Sequence, residues 1–598
     1  MMNAQRRIVS LLVGQTIVFC GLPGRAAADD PSALFKQHCA MCHREGTELR
    51  APLPDILALM PREQIVAALE SGSMKGQGEA LTHEQRLSLA AFLSKTTTVQ
   101  LTGGGMCASG MSPAKLAGAW NGWGVDLANT RFQTASGLRA EDIPKLKLKW
   151  AFGFPNSTVV FGQPTIDSGR LYFGSQNGTV YAVDARSGCI YWTFKAPATV
   201  RSAISLDPIS PGKPRLAYFG DIKANVYAVD SANGTLVWQA HVDPHPAARV
   251  TGAPALYAGT LYVPVSSVEE PPAGNAQYPC CTFRGSVVAL QSSTGKQLWK
   301  SYAIPDPPGK TRTSSAGAQL MGPAGAAIWS APTIDVERKV LYVATGNAYS
   351  DPPTKYNDAI IAYDLATGSM QWSRQMTEGD RWNFACQPGT RNDSCPPNPG
   401  EDFDFGASPI LKGSLLFAGQ KSGLVHALDP DKQGALVWQT RIGRGSALGG
   451  IEWGMSVDDE NVYAPLSDIN GKGLPMGGLF ALRQKDGMKV WQAPPPKPAC
   501  AGKPGCSAAQ MAPATMIPGV VFAGSMDGHL RAYDAATGKV IWDFDTLREF
   551  PTVNGVKARG GSLNATGPTL AGGMMFVNSG YGALGGMPGN VLLAFGVE

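Results

Sequence analysis

Seven times after Trp150 the chain spells a version of Ala-x-Asp-x-x-Thr-Gly-Lys-x-x-Trp. The copies run from Ala182 to Trp192, Ala228 to Trp238, Ala289 to Trp299, Ala362 to Trp372, Ala427 to Trp438, Ala481 to Trp491 and Ala532 to Trp542. Each follows two short apolar runs, and successive tryptophans stand 42 to 73 residues apart, which fits four short strands and their loops. A turn at fixed offset in units of this length predicts a β-propeller, because one such blade cannot bury its own faces and must pack against its neighbours. Trp150 ends an eighth unit whose preceding strand is expected from Val591 to Phe595, so that the two chain ends pair and protect the remaining edge. The expectation is an all-β, eight-bladed propeller over residues 119 to 598. Within the motif, the Asp and Thr-Gly fix the hairpin and the tryptophan packs between blades. None of them is a site residue.

Composition agrees. A chain of 598 residues is too long for one ordinary core, and 71 Gly with 45 Pro but no Gly-X-Y period points to a turn-rich body rather than collagen. With 44% hydrophobic and 16% charged residues the chain is not a disordered one. Residues 1 to 28 carry Arg6 and Arg7, an interrupted apolar run from Ile8 to Leu22, and Ala26-Ala27-Ala28 before Asp29. That pattern predicts a secretory signal peptide and a periplasmic, exported protein. Net charge is +5, falling to +2 once Arg6, Arg7 and Arg25 leave with the leader, so no nucleic-acid partner is expected. No later segment is long and apolar enough to span a bilayer. Ten cysteines remain in an oxidising compartment, an even number that favours pairing. Cys386 with Cys395 and Cys500 with Cys506 flank short loops and are expected to bridge, and Cys107 with Cys189 is a residual pairing that the sequence leaves open.

Residues 32 to 95 alone show helical periodicity, and they contain Cys39-Ala40-Met41-Cys42-His43. Cys-x-x-Cys-His attaches a c-type haem: the two thiols meet one porphyrin edge and the histidine reaches the iron. A thioredoxin-like redox pair or half a zinc site are the alternatives, but no βαβ pattern and no second Cys/His pair surround it. Met74, before a last helix capped by Thr82, is the expected sixth ligand. Met60 is its rival, and His83 reads as a surface residue. The segment resembles a class I cytochrome c domain, here 29 to 95, joined by a Gly/Ser/Thr-rich linker at 96 to 118.

The eightfold motif resembles the quinoprotein dehydrogenases, which hold pyrroloquinoline quinone (PQQ) on the propeller axis. Related repeats also occur in non-enzymatic assembly scaffolds, so departures from the repeat carry the functional information. Cys280-Cys281 matches the adjacent cysteine pair that lies against PQQ, although two separate partners would also explain it. Trp329, outside the repeat, matches the stacking tryptophan, with ordinary packing as the alternative. Arg201 matches the arginine that grips a cofactor carboxylate. Thr251 matches a hydroxyl on the cofactor edge, and Lys421 the cation at the quinone oxygens. Glu269, Asn347 and Asp380 occupy the places of calcium ligands, all oxygen donors as a hard cation requires, with Glu270 as a substitute for Glu269. Asn383 stands where the family has a second aspartate.

The resemblance implies that Asp380 takes the hydroxyl proton of an alcohol while hydride passes to PQQ, with Ca2+ polarising the accepting carbonyl and Lys421 and Arg201 steadying the charge. The haem c then accepts electrons and passes them to an external cytochrome c or the respiratory chain. The cytochrome-first order, together with Cys280-Cys281-Thr282-Phe283-Arg284-Gly285 and Gly379-Asp380-Arg381-Trp382-Asn383, resembles the quinohaemoproteins that act on polyvinyl alcohol. It implies oxidation of secondary hydroxyls on a polymer to ketones. A dehydrogenase for small or polyether alcohols, or a non-catalytic binding propeller with a haem domain, are the other readings.

Overall fold

The computed structural model describes residues 30–44, 51–58, 60–70, 74–95, 105–113, 116–469, 476–495 and 497–597. The expected signal peptide, residues 1 to 28, lies outside them. Eight antiparallel sheets, each with a four-stranded path of hydrogen-bonded strands, form the ring. Their innermost strands begin at Thr165, Ser205, Ala255, Thr333, Ile410, Ser456, Thr515 and Thr569, which define the first to eighth blades. The outermost strand of the eighth blade is Lys147–Gly153, paired antiparallel with Val591–Gly596. The ring closes as the sequence predicts.

The repeated motif works between blades. In the first turn Asp184 accepts the backbone N–H groups of Arg186 and Ser187. Gly188 then sits at φ 74°, where a Cβ would come within 2.9 Å of the Trp150 ring. The same arrangement sets Gly234 under Trp192, Gly295 under Trp238, Gly368 under Trp299, Gly434 under Trp372, Gly487 under Trp438 and Gly538 under Trp491. Each indole thus covers the turn of the next blade. Most also donate Nε1–H to a carbonyl there, as Trp238 does to Ser292 at 2.7 Å. The core therefore lies between blades: Tyr172, Val180 and Trp192 of the first pack with Phe219, Tyr227 and Val229 of the second.

A girdle precedes the ring. Residues 120 to 133 run along the starts of the innermost strands. Trp120 exchanges hydrogen bonds with Ile166, Asn121 with Leu206, and the carbonyls of Leu127, Ala128, Thr130 and Arg131 accept from Ile334, Leu411, Val457 and Met516. Gln133 reaches Leu570 of the eighth blade. The contacted residue is in every case the second of its strand.

All α-helices among the described residues fall at 31–93. His83–Leu93 begins on Thr82, in a reciprocal capping box with Gln85. Leu34, Ile65, Leu69, Leu89 and Leu93 form the core of this unit. The four expected disulfides are present: Cys107–Cys189, Cys280–Cys281, Cys386–Cys395 and Cys500–Cys506. The first fastens part of the expected linker to the first blade, where Gly105 also accepts from Ile190. No described helix is long and apolar enough to cross a membrane.

Candidate active site

The segments leading into the innermost strands meet on the axis. Four residues before each strand stand, in order round the ring, Phe161, Arg201, Thr251, Trp329, Gly406, Glu452, Met511 and Ala565. Six of these positions, joined by Trp123 and Trp453, line one axial cavity. The repeat makes the eight positions equivalent, and the departures from it give them different chemistry.

Trp329 meets Trp453 edge-on at 5.3 Å. Its far edge lies where Gly406 has no side chain, since a Cβ there would fall 2.3 Å from the ring. The Lys421 ammonium lies 5.2 Å from the ring centroid. The Arg201 guanidinium lies 4.8 Å from the Trp453 ring and 5.2 Å from that of Phe161, which holds its fork by stacking. Thr251 Oγ1 is 2.8 Å from Ser266 Oγ. A broad indole with two cations and a hydroxyl beside it suits a flat polyanion.

Next to Trp329 lies a crowd of carboxylates. Lys421 donates to Asp404 at 3.0 Å and stands 3.6 Å from Asp402. Burial opposes the lysine's charge, but Asp402, Asp404 and Glu452 more than reverse this and hold the ammonium well above its usual range. Asp404 also accepts the Asn347 N–H at 2.6 Å. Asp380 accepts the N–H groups of Asp402 and Phe403 at 3.2 and 2.6 Å. Burial raises its pKa to about 6, with Asp404 adding to the effect and the Phe403 N–H opposing it. Burial likewise lifts Glu270 to about 8, with Asp404 and Asp380 pushing the same way. Asp358, buried beside them, has an Oδ1 without a hydrogen-bond partner. Glu270, Asp358, Asp380, Asp402 and Asp404 thus surround one lysine. Such an excess of buried negative charge calls for a further cation. No three acidic, histidine or cysteine side chains among the described residues converge as a metal cage.

Glu269 points elsewhere. Its carboxylate accepts from Thr282 N, Phe283 N and the Tyr278 hydroxyl, and so holds the segment that follows the cysteine pair. Cys280 and Cys281 clamp Met321 through two backbone bonds, and Cys280 packs beside Tyr349, two residues past Asn347. Asn383 is spent on the backbone: its amide donates to Tyr349 and Ser394 and accepts from Ala385. The structure therefore brings together Arg201, Thr251, Trp329, Lys421, Asn347 and Asp380, and puts Glu270, not Glu269, among the acids. Sequence reasoning missed Asp358, Asp402, Asp404, Glu452 and Trp453.

In the helical unit Cys39 and Cys42 remain thiols, while the other described cysteines are bridged. His43 Nδ1 lies 2.7 Å from the Pro52 carbonyl. A carbonyl only accepts, so the proton sits on Nδ1 and Nε2 is left as a ligand. Burial lowers the pKa of His43 and keeps the ring neutral. Met74 and Met60, like Cys39 and Phe35, pack against the apolar core of this unit. His83 is exposed and paired with Glu70. These residues fit a covalent haem.

Comparison with known proteins places these features. A sequence model for the β-propeller domain of glucose, ethanol and alcohol dehydrogenases matches residues 120–390, and one for outer membrane protein assembly factor BamB matches 356–589. A polyvinylalcohol dehydrogenase of Pseudomonas sp. is 38% identical over 642 aligned positions, covering 100% of this chain and 99% of that protein. One from Sphingopyxis sp. (strain 113P3) is also 38% identical, covering 95% and 93%. The crystal structure of quinohemoprotein alcohol dehydrogenase from Comamonas testosteroni shares the fold, with a TM-score of 0.60 at 20% identity over 80% of each chain.

Proposed function

The chain belongs to the polyvinyl alcohol dehydrogenase family, and from that premise we propose that it oxidises the secondary hydroxyls of polyvinyl alcohol to ketones in the periplasm. It is a PQQ-dependent alcohol-oxidising enzyme. In our reading electrons pass to a covalent haem c in residues 29 to 95 and then to an external cytochrome c or the respiratory chain. The propeller, 119 to 598, does the oxidation, and 96 to 118 joins the two.

When bound, PQQ supplies the two-electron acceptor for the alcohol's hydride. Trp329 would offer it a flat face, and Cys280–Cys281 would lie against it. Arg201 would bind a carboxylate through its fork, Thr251 would bond the edge, and Lys421 would supply positive charge to the quinone oxygens. Asp380, ionised above about pH 6, takes the hydroxyl proton on a carboxylate oxygen. Asn347, Asp380 and Glu270 would hold Ca2+, which would offset the crowded acids and act as a Lewis acid. Glu270 replaces Glu269 in this set because Glu269 is occupied by backbone donors. In the helical unit Cys39 and Cys42 would carry the haem, with His43 and Met74 on its iron.

The observation that carries this reading is the axial group of Arg201, Trp329 and Lys421 beside a crowd of acids. Its test is reconstitution with PQQ and Ca2+, following haem reduction after adding polyvinyl alcohol or 2-propanol. Reduction by both alcohols supports the proposal. Reduction by 2-propanol alone makes the chain a small-alcohol enzyme, and reduction by neither leaves a binding propeller. Asp380→Asn should bind PQQ yet lose roughly 100-fold or more in turnover, as removal of a general base does. Full turnover in that variant assigns the base elsewhere, with Asp404 next in line.

A further inference from the structure

The helical unit meets the propeller where Ile56, on the Pro54–Leu57 turn, faces Gly582. The Ile56 Cγ2 methyl is so near that a Cβ at position 582 would come within 3.3 Å of it. That Cβ would also meet Pro588 at 3.0 Å and the Thr158 carbonyl at 3.1 Å. A glycine there leaves a shallow seat between the eighth and first blades, which Gly582 N–H ties together by donating to Thr158.

What lies on each side gives the contact its meaning. On the propeller side Gly582 follows Tyr581, whose buried ring meets Phe161 edge-on at 5.7 Å. Phe161 in turn faces the Arg201 guanidinium and lines the axial cavity. On the helical side Ile56 is four residues past Pro52, whose carbonyl fixes His43. One apolar contact therefore joins the segment that orients the iron ligand to the aromatic pair that walls the cavity. Electron tunnelling weakens steeply with each ångström of gap, so a packed route of this kind favours transfer over an open one.

We propose that the loop Gly580–Gly589 is the docking seat of the haem domain, entered by Ile56, and that electrons leave the axial cavity there, past Phe161 and Tyr581. This rests on the dehydrogenase reading above. Each alcohol oxidised to a ketone yields two electrons and two protons. The single iron takes one electron at a time, Fe(III) to Fe(II), and hands it to an oxidised external cytochrome before taking the next, while the protons leave to solvent.

The test uses the full-length holoprotein. Ile56→Glu puts a carboxylate into the apolar seat, so haem reduction by alcohol should slow about ten-fold or more. Oxidation coupled to a dye that takes electrons directly from the quinone should keep its rate. In the double variant Ile56→Cys with Gly582→Cys, oxidation should form a disulfide between residues 56 and 582, detected by peptide mass, and the cross-linked protein should still reduce its haem. Unchanged haem reduction in Ile56→Glu, or no cross-link in the double variant, overturns the proposal. Absence of dye-coupled turnover in the unaltered protein would count against the dehydrogenase reading instead, and the cross-link, which needs no turnover, would still decide the docking seat.

Discussion

Glu269 and Glu270 are neighbours with opposite assignments, and the reason is physical. The Glu269 carboxylate meets donors: two backbone N–H groups and a phenol. Glu270 meets other acids, and burial among them raises its pKa to about 8. Glu269→Gln puts an amide donor toward donors and should destabilise the apoprotein by about 1–3 kcal/mol. Glu270→Gln replaces a carboxyl that burial keeps largely protonated below about pH 8 with a neutral amide, so the apoprotein should melt no lower than the parent near neutral pH, while the rise in Tm produced by added Ca2+ should shrink. Melting curves with and without Ca2+ check both, and the reverse pattern returns the ligand role to Glu269. The sequence makes Arg201, Trp329 and Lys421 legible because each breaks a repeat whose rule is plain. It hides Asp402 and Asp404, since their partners come from other segments: Lys421 from the fifth blade, Asn347 from the fourth. Glu452 carried a signal of register only, standing four residues before the sixth innermost strand as Arg201 stands before the second.

At the scale of the element, the motif turn was the most legible feature, because one local sequence does two jobs. It bends the chain and seats the previous blade's tryptophan. The two costs separate at Gly234 and Gly212, which share a positive φ of 77° and 73°. A Cβ at 234 would lie 2.5 Å from the Trp192 ring, whereas nothing lies within 4 Å at 212. Gly212→Ala should therefore cost about 1–2 kcal/mol of backbone strain alone. Gly234→Ala adds overpacking of about 1–3 kcal/mol to that strain. Equal losses in denaturant melts would mean that the indole gives way without cost. The eighth blade lacks this device at its closure, since its two outer strands come from opposite chain ends and no turn joins them. Trp542 stacks instead on Phe544 and meets Phe595 edge-on. The girdle was not legible, for its contacts are backbone hydrogen bonds that no side-chain pattern announces.

Across the whole molecule, that girdle decides how eight separately packed interfaces act as one body. A ring of blades joined only to neighbours would open wherever one interface is weakest. Residues 120 to 133 touch the second residue of the innermost strand in seven of the eight blades, and so cross-brace the ring at its hub. Arg131 is the strongest of these braces. It is 1% exposed, and its guanidinium donates to Ala514 O, Trp123 O, Gln163 and Thr515 at 2.7 to 2.9 Å. The rings of Trp120 and Trp123 cover it. Arg131→Met keeps the volume but strands several buried acceptors, a loss of roughly 3 kcal/mol or more given about 1–3 kcal/mol for each unsatisfied group. The loss should also be uneven. Hydrogen exchange should quicken first in residues 120–133 and in Thr515–Ile517, whose seat on the girdle Arg131 secures, while the blades on the far side of the ring keep their protection. Trp123 lines the axial cavity, so the same variant should weaken PQQ binding without touching any residue proposed to contact it. If exchange instead rises evenly through all eight blades, each interface is already rigid without the girdle, and the hub is a filler rather than a brace.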